Sequence, residues 1–227
     1  MFIYSPNIGY FRRREITLIN LKKIKMRTQT KETQERLTPK TAHEILVDGN
    51  KRFVQNLKAQ RNLQDQVLAT SHGQYPFAVI LSCIDSRVPA ELVFDQGIGD
   101  IFSVRVAGNV INSDILGSME YACKVAGSKI VVVMGHTKCG AVSSACQNVE
   151  LGNITRLLNK IKPAIKVTPN NKNEEEFVDE VSINNVTHSI NETRKLSPIL
   201  AEMESNNAIK IVGAIYNVNN GVVTFLD

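Results

Sequence analysis

Two short stretches of the chain are apolar at almost every position. Phe77 to Cys83 is one, and Lys129 to Gly135, built around Ile130-Val131-Val132-Val133, is the other. Runs of this length without polar alternation predict strands covered on both faces, the usual situation in parallel sheets. Ile101 to Val106 predicts a third strand, and Asp114 to Ala126, closed by Gly127, predicts the helix that crosses to the Lys129 strand. Upstream, Thr38-Pro39 is an N-cap followed by proline, and Ala42, Ile45, Leu46, Phe53 and Leu57 recur at helical spacing, so one long amphipathic helix is expected before the core. Beyond Gly140 the pattern reads as helical through Lys166, breaks at Pro169-Asn170-Asn171-Lys172-Asn173, and resumes at Glu174-Glu175-Glu176. Ser197-Pro198 opens a short helix. Two closing strands, Ala208 to Val218 and Val222 to Leu226, flank the turn Asn219-Asn220-Gly221.

These elements predict an α/β fold: a mostly parallel central sheet flanked by helices, with an N-terminal helical arm and a C-terminal strand pair. A chain of 227 residues that is 43% hydrophobic and 22% charged suits one such domain, expected over residues 32–227 with no internal repeat.

The net charge of +5 conceals an asymmetry. Residues 1–31 carry eight Lys/Arg and one acid, whereas residues 32–227 carry nineteen Lys/Arg and twenty-one acids. Residues 1–31, with Arg12-Arg13-Arg14 and Lys22-Lys23-Ile24-Lys25, therefore read as a basic, disordered extension, and Met26 is a candidate translation start. The apolar stretches there are too short and too charged for a membrane span or a secretory signal. The cytoplasm is the expected compartment, with reduced thiols, and an organelle is the alternative if residues 1–25 form a transit peptide. Nucleic-acid binding would rest on this tail alone and is not expected. Cys123 and Cys146 fall in helix-like segments and read as small buried hydrophobes.

Chemistry concentrates where the two apolar runs end. Cys83-Ile84-Asp85-Ser86-Arg87 closes the first, and His136-Thr137-Lys138-Cys139-Gly140 closes the second. Ligands in open α/β sheets gather outside the carboxyl ends of the strands, so topology and residue type nominate the same place. A His-x-x-Cys pair can grip one metal from a single turn, and Cys83 as third ligand leaves the fourth tetrahedral position of zinc open, as in catalytic sites. The plainer alternative is a buried Cys83 beside an unrelated His-x-x-Cys turn. Two thiolates and a neutral histidine leave Zn²⁺ formally neutral, so it acidifies bound water less than an all-histidine site. Asp85 is placed to accept the hydrogen of zinc-bound hydroxide, and Arg87 to hold that carboxylate off the metal. Asp85 could instead be the fourth ligand and close the site.

Cys83-x-Asp85-x-Arg87 followed by His136-x-x-Cys139-Gly140 resembles the β-class carbonic anhydrases over roughly residues 38–227. Ser86-Arg87-Val88-Pro89, Arg105-Val106-Ala107-Gly108-Asn109, Glu120-Tyr121-Ala122 and Ile211-Val212-Gly213-Ala214 add to the likeness. The resemblance implies one Zn²⁺ per chain on Cys83, His136 and Cys139, and reversible hydration of carbon dioxide to bicarbonate and a proton by zinc-bound hydroxide. It also implies substrate contacts from Gln74, Phe102 and Tyr121, partly across a dimer interface, and a homodimer or tetramer embraced by N-terminal helices. Members of this family show either an Asp–Arg pair with open zinc or an aspartate-capped inactive site formed at lower pH. Some carry a tryptophan three residues before the first cysteine, associated with a bicarbonate-bound regulatory form. Here that position is Ile80, so the open form is expected near neutral pH and above. Ala107 stands where valine is expected nearby and implies a wider pocket.

Three rivals remain at this level. A cysteine-nucleophile enzyme would use Cys83 with His136 as base, although the Cys-x-x-x-Arg interval is too short for a phosphate-cradling loop. Hydrolysis of carbon disulfide or carbonyl sulfide would use the same scaffold. A zinc-binding protein without turnover would keep the ligands alone. None of His43, His72 and His188 is a secure proton shuttle.

Overall fold

The computed structural model describes residues 28–226; Arg12-Arg13-Arg14, Lys22 to Lys25 and Met26 lie outside that range. Five strands form one sheet in the order β2-β1-β3-β4-β5. They are β1 (Ala78–Ser82), β2 (Ile101–Arg105), β3 (Ile130–His136), β4 (Lys210–Tyr216) and β5 (Val223–Leu226). All neighbouring pairs are parallel except β4 with β5, which is antiparallel. The expected architecture is therefore the observed one, and the continuous apolar runs explain it: every residue of β1 and of β3 is buried.

Successive side chains on these strands enter opposite faces, and each face has its own helical cover. Ala78, Ile80, Ile130, Val132 and Met134 pack with Leu46 of α2 (Pro39–Val54) and with Val93 of α4 (Ala90–Val93). Val79, Leu81, Val131 and Val133 pack on the other side with Ile115 and Met119 of α5 (Ser113–Glu120), Val186 and Ile190 of α9 (Glu174–Leu196), and Leu200 of α10 (Pro198–Ser205). A third cluster, with Val142, Ala145, Leu158, Ile161 and Ala164, closes round Cys83 and Cys139 at the carboxyl ends of the strands.

Several elements differ in extent from the sequence reading. Two shorter helices flank α2, namely α1 (Lys31–Arg36) and α3 (Leu63–Thr70), so three helices precede the sheet where one was expected. The helix α2 stops at Val54 rather than Leu57, because Asn56 adopts a left-handed conformation at φ 55°. Downstream of Gly140 the chain is broken into α6 (Gly140–Cys146), α7 (Gly152–Leu158) and α8 (Lys162–Val167), with Gly152 at φ 44° and Pro163 in the first turn of α8. The crossing helix is α-helical only to Glu120; a π-turn over Tyr121–Val125 completes it before Gly127 at φ 85°. No helix among the described residues is long and apolar enough to cross a membrane.

The N-terminal helices are fastened to the segment that follows the Cys83 strand. Thr38 caps α2 reciprocally with Thr41, each hydroxyl accepting the other's backbone N–H. More than two turns on, Gly49 meets the end of α4 so closely that a Cβ there would lie 1.9 Å from the Phe94 carbonyl oxygen. Asn50 Nδ2 donates to the carbonyls of Val93 and Gly221, and its oxygen accepts from Val223 N, tying α2 to α4 and to the β5 turn. Asp95, just past α4, is almost fully buried and accepts from Arg52 Nε at 2.6 Å, Arg61 Nη1 at 2.7 Å and Ala59 N at 3.1 Å. Burial alone would raise its carboxyl; the two guanidiniums and the amide outweigh that and hold it below the usual range.

Removing one partner from a buried ion pair leaves the other charge uncompensated, at a cost of about 3–5 kcal/mol. Asp95→Ala is therefore expected to lose about 3 kcal/mol of unfolding free energy in urea titrations at pH 7. Because the folded carboxyl is depressed, this contribution is present above the ordinary carboxylate pKa of about 3.9 and fades as pH falls below it, so the two stability curves converge in acid. A difference under about 1 kcal/mol at pH 7 would contradict the role given to this cluster.

Candidate metal centre

The pairing of β1 with β3 brings the two polar strand ends together. Ser82 is in register with Met134, so Cys83, one residue beyond β1, and His136, the last of β3, leave the sheet side by side. The chain then turns through Thr137 and Lys138, and Cys139 becomes the N-cap of α6. Lys138 sits at φ 55°, a left-handed conformation that costs a non-glycine residue about 1–2 kcal/mol. This turn folds the cysteine back towards the histidine. The side chains of Cys83, His136 and Cys139 are buried, and their ligand atoms all lie within 4.8 Å of one another.

The donor atoms are prepared individually. His136 Nδ1 lies 2.9 Å from the Thr137 carbonyl oxygen. That oxygen can only accept, so Nδ1 carries the hydrogen and the Nε2 lone pair is left free. Nε2 is fully buried and has no hydrogen-bond partner in the protein, the condition of a group shaped to bind something else. Cys83 Sγ accepts the backbone N–H of Gly108 at 3.4 Å. Gly108 has φ 66°, and a Cβ there would lie 2.8 Å from Ile161 Cδ1, so glycine is required for the approach. A hydrogen bond from Cys139 draws Cys83 well below the usual thiol range, and the same contact, with burial, pushes Cys139 up. A metal cation bound there would favour the thiolate form of both sulfurs. Two sulfurs and a neutral imidazole thus fit a metal ion.

Asp85 and Arg87 form a fork beside this group. Arg87 Nε donates to Asp85 Oδ1 at 2.9 Å and Nη2 to Oδ2 at 2.7 Å, while the Arg87 backbone N–H also reaches Oδ1 at 2.9 Å. These hydrogen bonds to Arg87 hold the Asp85 carboxyl down at about 2, ionised throughout the neutral range. Oδ2 lies 3.9 Å from His136 Nε2, so the carboxylate borders the donor atoms while both its oxygens face the guanidinium. Arg87 Nη2 also donates to the Lys138 carbonyl at 3.2 Å, which links the two peptide segments directly.

Four positioning groups escaped the sequence reading. Arg105 Nε donates to the Cys83 carbonyl at 3.0 Å and its Nη2 to the Asp85 carbonyl at 2.6 Å, clamping the Cys-x-Asp backbone from β2. From α9, Asn185 Nδ2 donates to the Gly108 carbonyl at 2.7 Å, Ser189 Oγ to the Asn109 carbonyl at 3.1 Å, and Asp179 Oδ1 accepts from Lys138 N at 2.8 Å. Arg105 was visible as part of a turn motif; the α9 residues carry no local signal.

The expected substrate contacts separate into two groups. Phe102 and Tyr121 meet edge to face at 6.4 Å and line a cavity of ≈ 750 Å³ that also includes Arg105 and Gly117. Gln74 is exposed and precedes β1, at the end of that strand opposite Cys83. Within one chain, therefore, Gln74 does not join the metal-capable group, and Phe102 is in register with Val79 rather than with the strand ends. His43 packs edge-on against Phe225 at 4.3 Å. Cys123 is buried, and its thiol is pushed up to about 12 by burial, as expected of a core residue; Cys146 is only partly covered.

A family model described as carbonic anhydrase matches residues 78–223. Carbonic anhydrase 2 of Mycobacterium tuberculosis is 35% identical over 196 residues, spanning 83% of this chain and 93% of that protein. Among solved structures, the β-carbonic anhydrase CafA of Aspergillus fumigatus is 26% identical, with a TM-score of 0.67 over 72% of this chain and 81% of its own. A structure of two tetrameric β-carbonic anhydrases from Sordaria macrospora shares the fold, with a TM-score of 0.63 and 22% identity over 82% of this chain and 97% of that one.

The burial of the thiols is directly measurable. An aromatic disulfide reagent at pH 8 is expected to label Cys146 first in the native chain, with Cys83, Cys123 and Cys139 reacting only on unfolding. Labelling of Cys123 at the rate of Cys146, followed by peptide mass analysis, would contradict the packing described.

Proposed function

The chain belongs to the β-class carbonic anhydrases, and from that premise we propose that it hydrates carbon dioxide reversibly to bicarbonate and a proton, using one zinc ion held by Cys83, His136 and Cys139. The observation that carries the reading is the buried, unpartnered His136 Nε2 gathered with the sulfurs of Cys83 and Cys139, three metal-capable donor atoms within 4.8 Å of one another. Soft sulfur donors with imidazole select zinc over calcium, magnesium or manganese. Bound there with three protein ligands, zinc supplies an acidified water and a Lewis acid, the chemistry that carbon dioxide hydration needs.

The remaining steps fall to the chain. Asp85 Oδ2 accepts the hydrogen of the attacking water and so turns an oxygen lone pair towards carbon dioxide. Its carboxylate suits this task because it is ionised at neutral pH and cannot donate. Arg87 keeps both carboxylate oxygens engaged, which opposes rotation of Asp85 onto the metal and favours the open form. Arg105 fixes the backbone on either side of Ile84, so that the cysteine ligand and the aspartate move as one unit. A cysteine-nucleophile mechanism is disfavoured, since Cys83 is buried and Arg87 is committed to Asp85 rather than to the thiol.

We further propose that Gln74, Phe102 and Tyr121 contact substrate across an interface with a second copy, because one chain alone keeps Gln74 at the far end of β1. The edge strand β2 and the exposed Tyr121, Val125 and Leu68 offer that interface. A homodimer or tetramer follows on this reading. Thiolate ligands suit a reducing compartment, which supports the cytoplasm, with an organelle the alternative if residues 1–25 form a transit peptide.

Stopped-flow hydration of carbon dioxide tests the function. Zinc-loaded wild type is expected to be active, Asp85→Asn to keep its zinc and lose about 10–100-fold in kcat/KM, and Cys83→Ser to lose both zinc and activity. Zinc-loaded wild type without hydration activity would overturn the assignment.

A further inference from the structure

The hydrogen bonds that shape the metal-capable turn extend to one carboxylate outside it. Lys138 stands between His136 and Cys139 in the left-handed conformation, and both of its backbone groups are engaged by side chains. Its N–H donates to Asp179 Oδ1 at 2.8 Å, and its carbonyl accepts from Arg87 Nη2 at 3.2 Å. The Lys138 side chain pairs at 3.2 Å with Glu175, one helical turn before Asp179, both groups being well exposed. Among the described residues Asp179 enters no ion pair within 4.0 Å, so its carboxylate serves the Lys138 amide.

The surrounding geometry makes Asp179 a fixed point rather than a loose surface acid. It lies one residue from buried Val178 and two from buried Val181, both of which pack in the cluster round Cys83 and Cys139. Farther along the same helix, Asn185 and Ser189 hold the Gly108–Asn109 backbone, whose Gly108 N–H donates to Cys83 Sγ. One rigid element, α9, therefore touches the backbone on both sides of the metal-capable group.

We infer that Asp179 is a positioning residue for the metal centre: by holding the Lys138 N–H it fixes the left-handed turn that sets the bite of His136 and Cys139 and aims the Lys138 carbonyl at Arg87. The inference rests on the zinc reading above and adds a residue to it. An unheld turn would let the His-x-x-Cys pair open, so the first property to suffer is retention of the ion. Turnover suffers next, through a less well placed Arg87.

Competition against a chromophoric zinc chelator, using the full chain loaded with one equivalent of zinc, reads the effect directly. Asp179→Ala is expected to weaken zinc binding about 10-fold, the lower range for partners that orient ligands. Asp179→Asn should retain most of the wild-type affinity, because its amide oxygen accepts the same N–H. Glu175→Gln, which removes the neighbouring charge pair alone, should match wild type. Alanine is the strongest helix former, so the fold is expected to survive, and Asp179→Leu gives a second variant without an acceptor. In stopped-flow assays at saturating zinc, Asp179→Ala should lower kcat with KM unchanged. Hydrogen exchange at the Lys138 amide should quicken in the Ala and Leu variants and stay slow in the Asn variant. Equal zinc affinity for wild type and Asp179→Ala, or equal losses in the Ala and Asn variants, would overturn the inference. A wild-type chain that takes up no zinc would instead overturn the metal centre, a distinguishable result.

Discussion

Parallel pairing of β1 with β3 is the constraint from which the rest follows. Two strands that run side by side in one direction end side by side, and each ends in a segment bearing sulfur, imidazole or carboxylate. Both strands are buried on both faces, so their register is fixed by two independent packing layers, and a slip of one residue would turn every side chain into the wrong layer. The position of Cys83 relative to His136 is thus set by the core rather than by the loops that carry the chemistry.

The loops add what the sheet cannot. A left-handed Lys138 and a glycine at 108 bring backbone closer to the metal-capable group than ordinary turns would allow, and both conformations are held by side chains from elsewhere. The Asp85–Arg87 fork has a similar logic. An aspartate this close to a cation site would be drawn onto the ion unless a second cation held it, and the bidentate guanidinium does so with three hydrogen bonds counting its backbone amide. On the proposed reading, electrostatics and backbone geometry act together to favour a metal with one accessible face.

The amino-acid pattern revealed the parts whose signal is local. Unbroken apolar runs marked β1 and β3, and the His-x-x-Cys interval marked the turn after β3, because a strand buried on both faces and a two-ligand turn each leave a contiguous trace. What stayed hidden depends on contacts between distant segments. Asp179, Asn185 and Ser189 look like ordinary polar positions on an amphipathic helix until α9 is laid across the strand ends. The short helices α3 and α4 carry too few turns to show a period, and the π-turn at Tyr121 has none. Gln74 was nominated by likeness alone, and its place before β1 leaves it outside the metal-capable group of its own chain.

The central claim is that Cys83, His136 and Cys139 hold one zinc with a face left for solvent. X-ray absorption at the zinc edge on the purified protein at neutral pH measures that most directly. The account predicts two sulfur scatterers at about 2.3 Å, one imidazole nitrogen at about 2.0–2.1 Å and one light atom from solvent at a similar distance. A shell of four sulfurs, or one with no sulfur, would contradict it.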